Sequence, residues 1–311
     1  MMLAQTADPP FWSPEFFDEH TLPIGEWLKE IVFWLAVHGK PVFDVIRWPV
    51  DQLLNRSIDF LNGLPWPIVV LAFFLIGWRL RGLLVGALSA AGLVFLGFLA
   101  PELWAKTMET LAMIVTAVTF CVVVGIPLGI LAARGDRLES ALRGVLDAMQ
   151  TIHPFVYLLP AVFFFGLGST PGVIVTIIFA LPPIVRLTNL GIRQVPTEAV
   201  EAGRAFGSSE LQLLRDIQLP LARSTIMAGL NQTLLLAMSM VVIVAIIAGG
   251  GLGQVILRGV NRGDVPIAAT SGIAVLILAV VLDRLSQAPR GQKRWFWTAR
   301  WKALRTRIWP L

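Results

Sequence analysis

Charge is what this chain has least of. Asp, Glu, Lys and Arg make up only 14% of its 311 residues, while 56% are hydrophobic and the mean hydropathy is +0.74. A soluble domain carries about a quarter charged residues, so a water-facing surface for the whole chain is excluded and a membrane is implied. Cysteine is nearly absent. Cys121 stands alone inside an apolar run, which rules out an intrachain disulfide framework and a cysteine metal cluster. His20, His38 and His153 are far apart and form no H-E-x-x-H pair, so a zinc protease lacks its ligands. No phosphate loop of the form G-x-x-x-x-G-K followed by Ser or Thr occurs, and Gly39-Lys40 runs straight into Pro41, so this chain cannot hydrolyse ATP alone. Carboxylates inside apolar runs are scarce. Asp147 and Asp283 fall at run ends, near Arg143 and Arg284, as ordinary interfacial charges do. An ion-coupled secondary transporter usually needs a deeper carboxylate. No nucleophile, base and orienter occur at recognisable spacing, which disfavours a membrane enzyme.

What is present is a set of seven apolar runs, at about 65–78, 82–100, 108–133, 150–168, 172–190, 225–248 and 266–286. Each is read as a helix crossing roughly 30 Å of hydrocarbon, which needs about twenty residues. The first run is short, and Arg79 and Arg81 mark where the chain turns. With the N-terminus outside, Arg79, Arg81, the loop 134–147, the stretch 186–223 and the tail after Val281 all fall inside. That orientation puts 18 of the 25 Lys and Arg residues in the cytoplasm. The opposite one would translocate Arg290, Lys293, Arg294, Arg300, Lys302, Arg305 and Arg307. The basic balance therefore reads as cytoplasmic anchoring near anionic lipid, not as nucleic-acid binding.

Residues 1–64 read as a separate external segment with nine acidic and four basic residues, among which Trp12, Phe16, Trp27, Phe33, Trp34 and Trp48 are spread. From Glu26 to Phe60 apolar positions recur at helical spacing, interrupted by Pro41 and Pro49, which predicts short amphipathic helices at a membrane surface. The first twenty residues have no basic region followed by an apolar one, which argues against a cleaved signal peptide. In the tail 288–311, Trp295, Trp297, Trp301 and Trp309 alternate with Arg and Lys, the pattern of an interfacial helix. The string Gly249-Gly250-Gly251-Leu252-Gly253 lacks dinucleotide-binding spacing and is read as a helix break at the external surface near a gate.

Between two of the most apolar runs lies EAGRAFGSSELQLLRDIQLP, residues 201–220. Pro196 and Thr197 can start a helix, with Glu198 and Glu201 in its first turn, where the dipole favours carboxylates. Gly207 stands where that helix would end in a left-handed residue. Ser209 with Gln212 fits a capping box opening a second helix, which Pro220 is expected to terminate. Ala199, Ala202, Gly203 and Ala205 make the first helix small-surfaced, the shape of a helix that docks into another protein's groove.

The spacing of Glu201-Ala202-Gly203, three residues, Gly207, nine residues and Ile217-Gln218-Leu219-Pro220 resembles the EAA motif of permease subunits of bacterial ATP-binding-cassette importers. That pattern is E-A-A, three residues, G, nine residues, I-x-L-P. The departure is Gly203 for the second alanine, which stays small but weakens the helix by up to about 1 kcal/mol. The strings DAMQTIHPFVYLLP, GVIVTIIFALPPIVRLTNLGIRQVP, TIMAGLNQTLLLAMSMVVI and GGLGQVILRG look like the permease of the ProU-type glycine betaine/proline importer, over roughly residues 100–287. His153 interrupts an otherwise familiar run, and residues 288–311 have no counterpart. The N-terminal segment is similar to that family's extended external N-terminus.

The resemblance implies an all-α membrane protein of the type I ABC importer permease fold in the bacterial cytoplasmic membrane. Two accessory helices, 65–100, would precede a core permease domain, 101–287, with a cytoplasmic coupling loop, 191–222, and a basic cytoplasmic tail, 288–311. It also implies a second copy of the chain, two cytoplasmic ATPase subunits that hold ATP and magnesium, an external substrate-binding protein, and no cofactor on this chain. Glu201, Ala202, Gly203, Gly207, Ile217, Leu219 and Pro220 would transmit ATPase closure to the membrane segments.

For the substrate path, Phe155 and Tyr157, with Phe163, Phe164 and Phe165 beside them, either offer aromatic faces to a quaternary amine or, as aromatic residues in spans usually do, face lipid and neighbouring helices. Asn231, Gln232 and Thr233 in the sixth run are costly in hydrocarbon unless they meet a partner or water, so they bond neighbouring helices or line the path. Ser239 continues that polar stripe. The expected activity is import of a compatible solute such as glycine betaine or proline betaine, with choline, carnitine or trimethylamine N-oxide as alternatives. An ion-coupled secondary transporter and a passive osmotic channel leave the EAA-like loop without a purpose.

Overall fold

The computed structural model describes residues 23–244 and 249–287. Trp12, Phe16, the last four residues of the sixth run and the tail from residue 288 lie outside the described residues. All regular structure among the described residues is helical.

Each apolar run contains one helix: α3 (Trp66–Arg81), α4 (Leu83–Leu99), α5 (Leu103–Arg134), α7 (Pro154–Phe165), α8 (Ser169–Arg193), α11 (Leu219–Val244) and α13 (Val265–Ser286). Among the described residues, α5, α8 and α13 are long and apolar enough to cross a membrane alone. The fourth run departs from a straight span. Helix α6 (Asp136–Thr151) meets α7 at a bend of 96°, leaving α7 only 12 residues. Pro154 is the reason, because it drives the preceding residue out of the helical region; Ile152 and His153 are extended, with ψ of 127° and 137°. His153, the residue out of pattern, caps α7 by accepting a hydrogen bond from the Phe155 N–H on Nδ1 at 3.4 Å.

The N-terminal segment forms α1 (Ile24–His38) and α2 (Lys40–Gly63), and α2 meets α3 at 106° across Leu64 and Pro65. Expected as short helices interrupted at Pro41 and Pro49, the segment keeps the first break, placed at Gly39 two residues earlier, and lacks the second. Pro41 sits in the first turn of α2, where its missing N–H costs nothing. Pro49 lies within α2, which continues because Val50 and Leu54 are buried beside it against Ala112 and Met113 of α5 and Val173 of α8. Arg47 Nε donates to Asp51 Oδ2 at 2.8 Å, and the Thr170 hydroxyl at the start of α8 donates to Asp51 Oδ1. Phe43 stacks on Phe164 of α7 with ring centroids 4.4 Å apart. α2 is thus built into the bundle. Helix α1, in contrast, buries none of its residues, and Trp27, Phe33 and Trp34 are exposed.

The centre is α8, flanked by α5 and α11. Apolar burial does little to hold helices together in a bilayer, so close backbone approach through small residues carries the packing. Gly125 and Gly129 of α5 face Ile184, Val185 and Thr188 of α8, and Gly191 of α8 faces Ala222 and Thr225 of α11. Gly229 of α11 lies against Pro183, Ile184 and Leu187. These contacts make α5 and α8 run in the same direction and α11 opposite to them. On the far side, α13 packs on α4 where Gly92 meets Ile277 and Val281, and Gly77 of α3 meets Gly86 of α4 in a tight hairpin.

Candidate functional site

The polar stretch between α8 and α11 folds almost as its residue types dictate. Helix α9 (Thr197–Ala205) starts after Pro196 with Glu198 in its first turn. It ends at Phe206, and Gly207 takes φ +79°, the conformation predicted for it. Ser209 then opens α10 (Glu210–Gln212) with a complete capping box. Its backbone N–H donates to Gln212 Oε1 at 2.8 Å, and its hydroxyl accepts from the Gln212 N–H at 3.4 Å.

Beyond Gln212 the structure corrects two expectations. Pro220 does not end the second helix. The chain passes through a π turn, Leu213–Gln218, in which the Leu219 N–H bonds the Leu214 carbonyl, and Pro220 lies in the first turn of α11. The wider π turn shifts the carbonyls that a proline ring would otherwise strike, so the helix continues through it. The second correction concerns Gly203. Rather than giving an outside partner room, it is buried against the loop's own Leu213 and Ile217; a Cβ there would lie 2.6 Å from Leu213 Cδ2 and 2.5 Å from Ile217 Cδ1.

This packing divides the motif into two layers. Gly203, Leu213, Leu214, Ile217 and Leu219 form the inner layer, with Leu214 and Leu219 joining Ile192 of α8 and Ala222 of α11. Glu201, Ala202, Arg204, Ala205, Arg215 and Asp216 remain exposed, and Arg204 pairs with Glu210 at 3.1 Å. At the tip stands Phe206, 90% exposed, a large apolar side chain among charges. Sequence reading passed it over, although a lone phenylalanine just before the turn glycine was the available signal.

Arg193, at the end of α8 just before the loop, ties that helix end to α5 and α6. Its guanidinium donates to Asn189 Oδ1 at 2.9 Å, to the Ala132 carbonyl of α5 at 3.1 Å and to Asp136 of α6 at 2.7 Å, and it pairs with Glu139 at 3.2 Å. A planar five-donor group can serve three helices at once in this way. Nearby, Asp147 pairs with Arg186 of α8 at 2.6 Å rather than with Arg143, which is taken by Glu139 at 2.8 Å. Asp283 accepts from Gln287 Nε2 at 2.6 Å, so its partner is likewise not Arg284.

The six path candidates separate in space. Asn231 accepts a hydrogen bond from the Ser286 hydroxyl of α13, a helix-to-helix bond. Thr233 is fully buried, and its hydroxyl has no hydrogen-bond partner in the structure. Gln232, between them, points to the exposed side of α11, as does Ser239, whose hydroxyl bonds its own helix at the Leu235 carbonyl, 3.0 Å. On α7, Phe155 is exposed, while the Tyr157 hydroxyl donates to the Ala148 carbonyl of α6 at 3.1 Å. Adjacent residues of one helix point about 100° apart, which is why three consecutive polar residues cannot all face one path.

Comparison with known proteins bears on this arrangement. Residues 125–288, from the α5 glycine seam through α13, match the family described as binding-protein-dependent transport system inner membrane component. The chain is 49% identical over 288 residues to the glycine betaine/proline betaine transport system permease protein ProW of Escherichia coli, covering 91% of this chain and 81% of that protein. It is 40% identical over 278 residues to the glycine betaine/carnitine transport permease protein GbuB of Listeria monocytogenes, covering 86% and 95%. Among solved structures it is similar to a chain of the inward-facing MetNI methionine ABC transporter, with a TM-score of 0.50 and 26% identity over 59% of this chain and 90% of that one.

Proposed function

Because this chain belongs to the family of binding-protein-dependent transport system inner membrane components, we propose that it is the multi-pass permease subunit of an ATP-driven importer of glycine betaine or proline betaine. The observation that carries the proposal is the two-layered loop 197–220. Its inner layer fastens it to α8 and α11, and its outer layer presents Phe206 and a ring of charges to a partner. Choline, carnitine and trimethylamine N-oxide remain the alternative cargoes, since all share a methylated cationic or dipolar head that aromatic faces attract.

In this reading two copies of the chain form the pathway, and two cytoplasmic ATPase subunits carry ATP and magnesium. An external binding protein delivers the solute, and the chain itself binds no cofactor and catalyses nothing. The loop moves with the ATPase and carries α8 and α11 with it, because Leu214, Leu219, Ile192 and Ala222 pack as one body. Among the described residues, α7, α8 and α11 carry no carboxylate, which leaves a proton- or sodium-coupled cycle without a site in those helices.

The test is to purify the tagged chain from its native membrane in mild detergent and identify by mass spectrometry what accompanies it. A stoichiometric P-loop ATPase, followed by ATP-dependent betaine uptake in proteoliposomes, is the expected result. A folded, dimeric chain that repeatedly comes without an ATPase would overturn the reading in favour of a secondary transporter.

A further inference from the structure

The glycine string 249–253 is a sequence feature that the loop 197–220 leaves without a purpose. It leads into and opens α12 (Gly251–Arg262), at the end of the bundle opposite the loop, where α5 and α8 begin. Three side chains from those two helix starts grip it. The Ser169 hydroxyl of α8 accepts from the Gly250 N–H at 3.0 Å. The Thr110 hydroxyl of α5 accepts from the Leu252 N–H at 2.8 Å. The Glu109 carboxylate occupies the very space a Cβ on Gly250 would need, and Lys106 Nζ holds that carboxylate at 2.9 Å.

Each glycine has its own reason. Gly250 leaves room for Glu109, and Gly251 takes φ +77° with Thr110 Oγ1 2.5 Å from where its Cβ would be. Glu109 lies at the N-terminal end of α12, where unpaired N–H groups and the helix dipole favour a carboxylate. Its side chain is only 18% exposed, so solvent screens that attraction weakly. Below the turn, Leu252 is fully buried.

We infer that Glu109, Thr110 and Ser169 are positioning residues that clamp the Gly249–Leu252 turn and hold the outer end of the pathway closed until the transport cycle releases it. The inference rests on the importer reading. The clamp joins α5 and α8 to the segment that follows α11, so a movement of α8 and α11 past α5, driven from the loop, must break or strain the two contacts that α5 supplies through Thr110 and Glu109. Release exchanges two neutral hydrogen bonds and one charge-to-dipole contact for water, a set weak enough to open within a catalytic cycle.

The experiment uses the complete importer reconstituted with its ATPase and binding protein. Glu109→Gln keeps the volume and removes the charge, Ser169→Ala removes one acceptor, and Gly250→Ala forces Glu109 out. A reporter, Leu252→Cys in a Cys121→Ala background, is challenged from outside with a charged, membrane-impermeant thiol reagent. Expected are intact assembly, labelling of the reporter about three- to tenfold faster in each clamp variant, and basal ATPase activity raised by a similar factor without binding protein. Labelling and basal ATPase unchanged in both Glu109→Gln and Ser169→Ala would overturn the clamp, whatever Gly250→Ala does to folding. Should the unaltered complex fail to import any methylated amine while Glu109→Gln still speeds labelling, the cargo reading falls and the clamp stands.

Discussion

Gly203 and Ile217 are packed against each other inside the loop 197–220, so closely that a Cβ on Gly203 would lie 2.5 Å from Ile217 Cδ1. The atom in the way is the far end of a flexible side chain, and so is Leu213 Cδ2 on the other side. Gly203→Ala should therefore be accommodated by small rotamer shifts, offset by a helix-propensity gain of up to about 1 kcal/mol. Thermal stability and uptake in that variant should stay close to the parent. Gly203→Leu has no such escape and should separate α9 from the π turn, lowering uptake while the chain still inserts. Equal behaviour of the two variants would refute this packing account.

Gly207 poses the complementary case, since open space surrounds the position of its missing Cβ but its φ is +79°. Backbone conformation alone decides substitutions here. The ranking expected for ATPase coupling is Gly, then Asn, then Ala, then Val, with alanine costing about 1–2 kcal/mol in the left-handed region. Coupling is read as the ratio of uptake to ATP hydrolysed, and a Val variant as good as Asn would contradict it.

Phe206 should separate stability from function. At 90% exposure it contributes almost nothing to the fold of the isolated chain, so Phe206→Ala should melt at the parent temperature in detergent. Loss of an apolar anchor at the centre of an interface typically costs about 2 kcal/mol or more. Affinity for the ATPase subunit should fall by roughly thirtyfold on that basis. Unchanged association would place the docking contact elsewhere on the loop.

Gly129 offers a contrast within the membrane. A Cβ there meets the Val185 carbonyl at 2.7 Å and Thr188 Cβ at 2.6 Å, atoms that cannot swing aside. Gly129→Ala should push α5 away from α8 and destabilise the bundle by about 1–3 kcal/mol, the cost of overpacking a close seam. A lowered melting temperature in detergent checks it, with Gly144→Ala, a helical position in open space, as the control expected to melt at or slightly above the parent.

The loop shows how far local chemistry reaches. The cap at Ser209 and the left-handed residue at Gly207 depend on atoms within a few positions of each other, so they were legible from the string alone. Pro220 was misread because its fate depends on a π turn stabilised by Leu213, Leu214 and Ile217 packing on other elements. Pro49 was misread for the same reason, since its helix is held by burial of Val50 and Leu54 against α5 and α8. His153 looked anomalous until the 96° bend showed it to be a cap.

Composition, hydropathy period and motif spacing determined by themselves that the chain is helical and membrane-embedded, and where its polar loop lies. Such properties add up over short windows, and apolar runs of that length have few other stable states. Tertiary structure alone decided which member of a polar triplet faces which neighbour, as Asn231 bonds Ser286 while Gln232 turns outward. It alone brought Glu109, Thr110 and Ser169 to the glycine turn, more than eighty residues away from the nearest of them. Contacts at that separation follow from how α5, α8 and α11 cross, and no local pattern records a crossing.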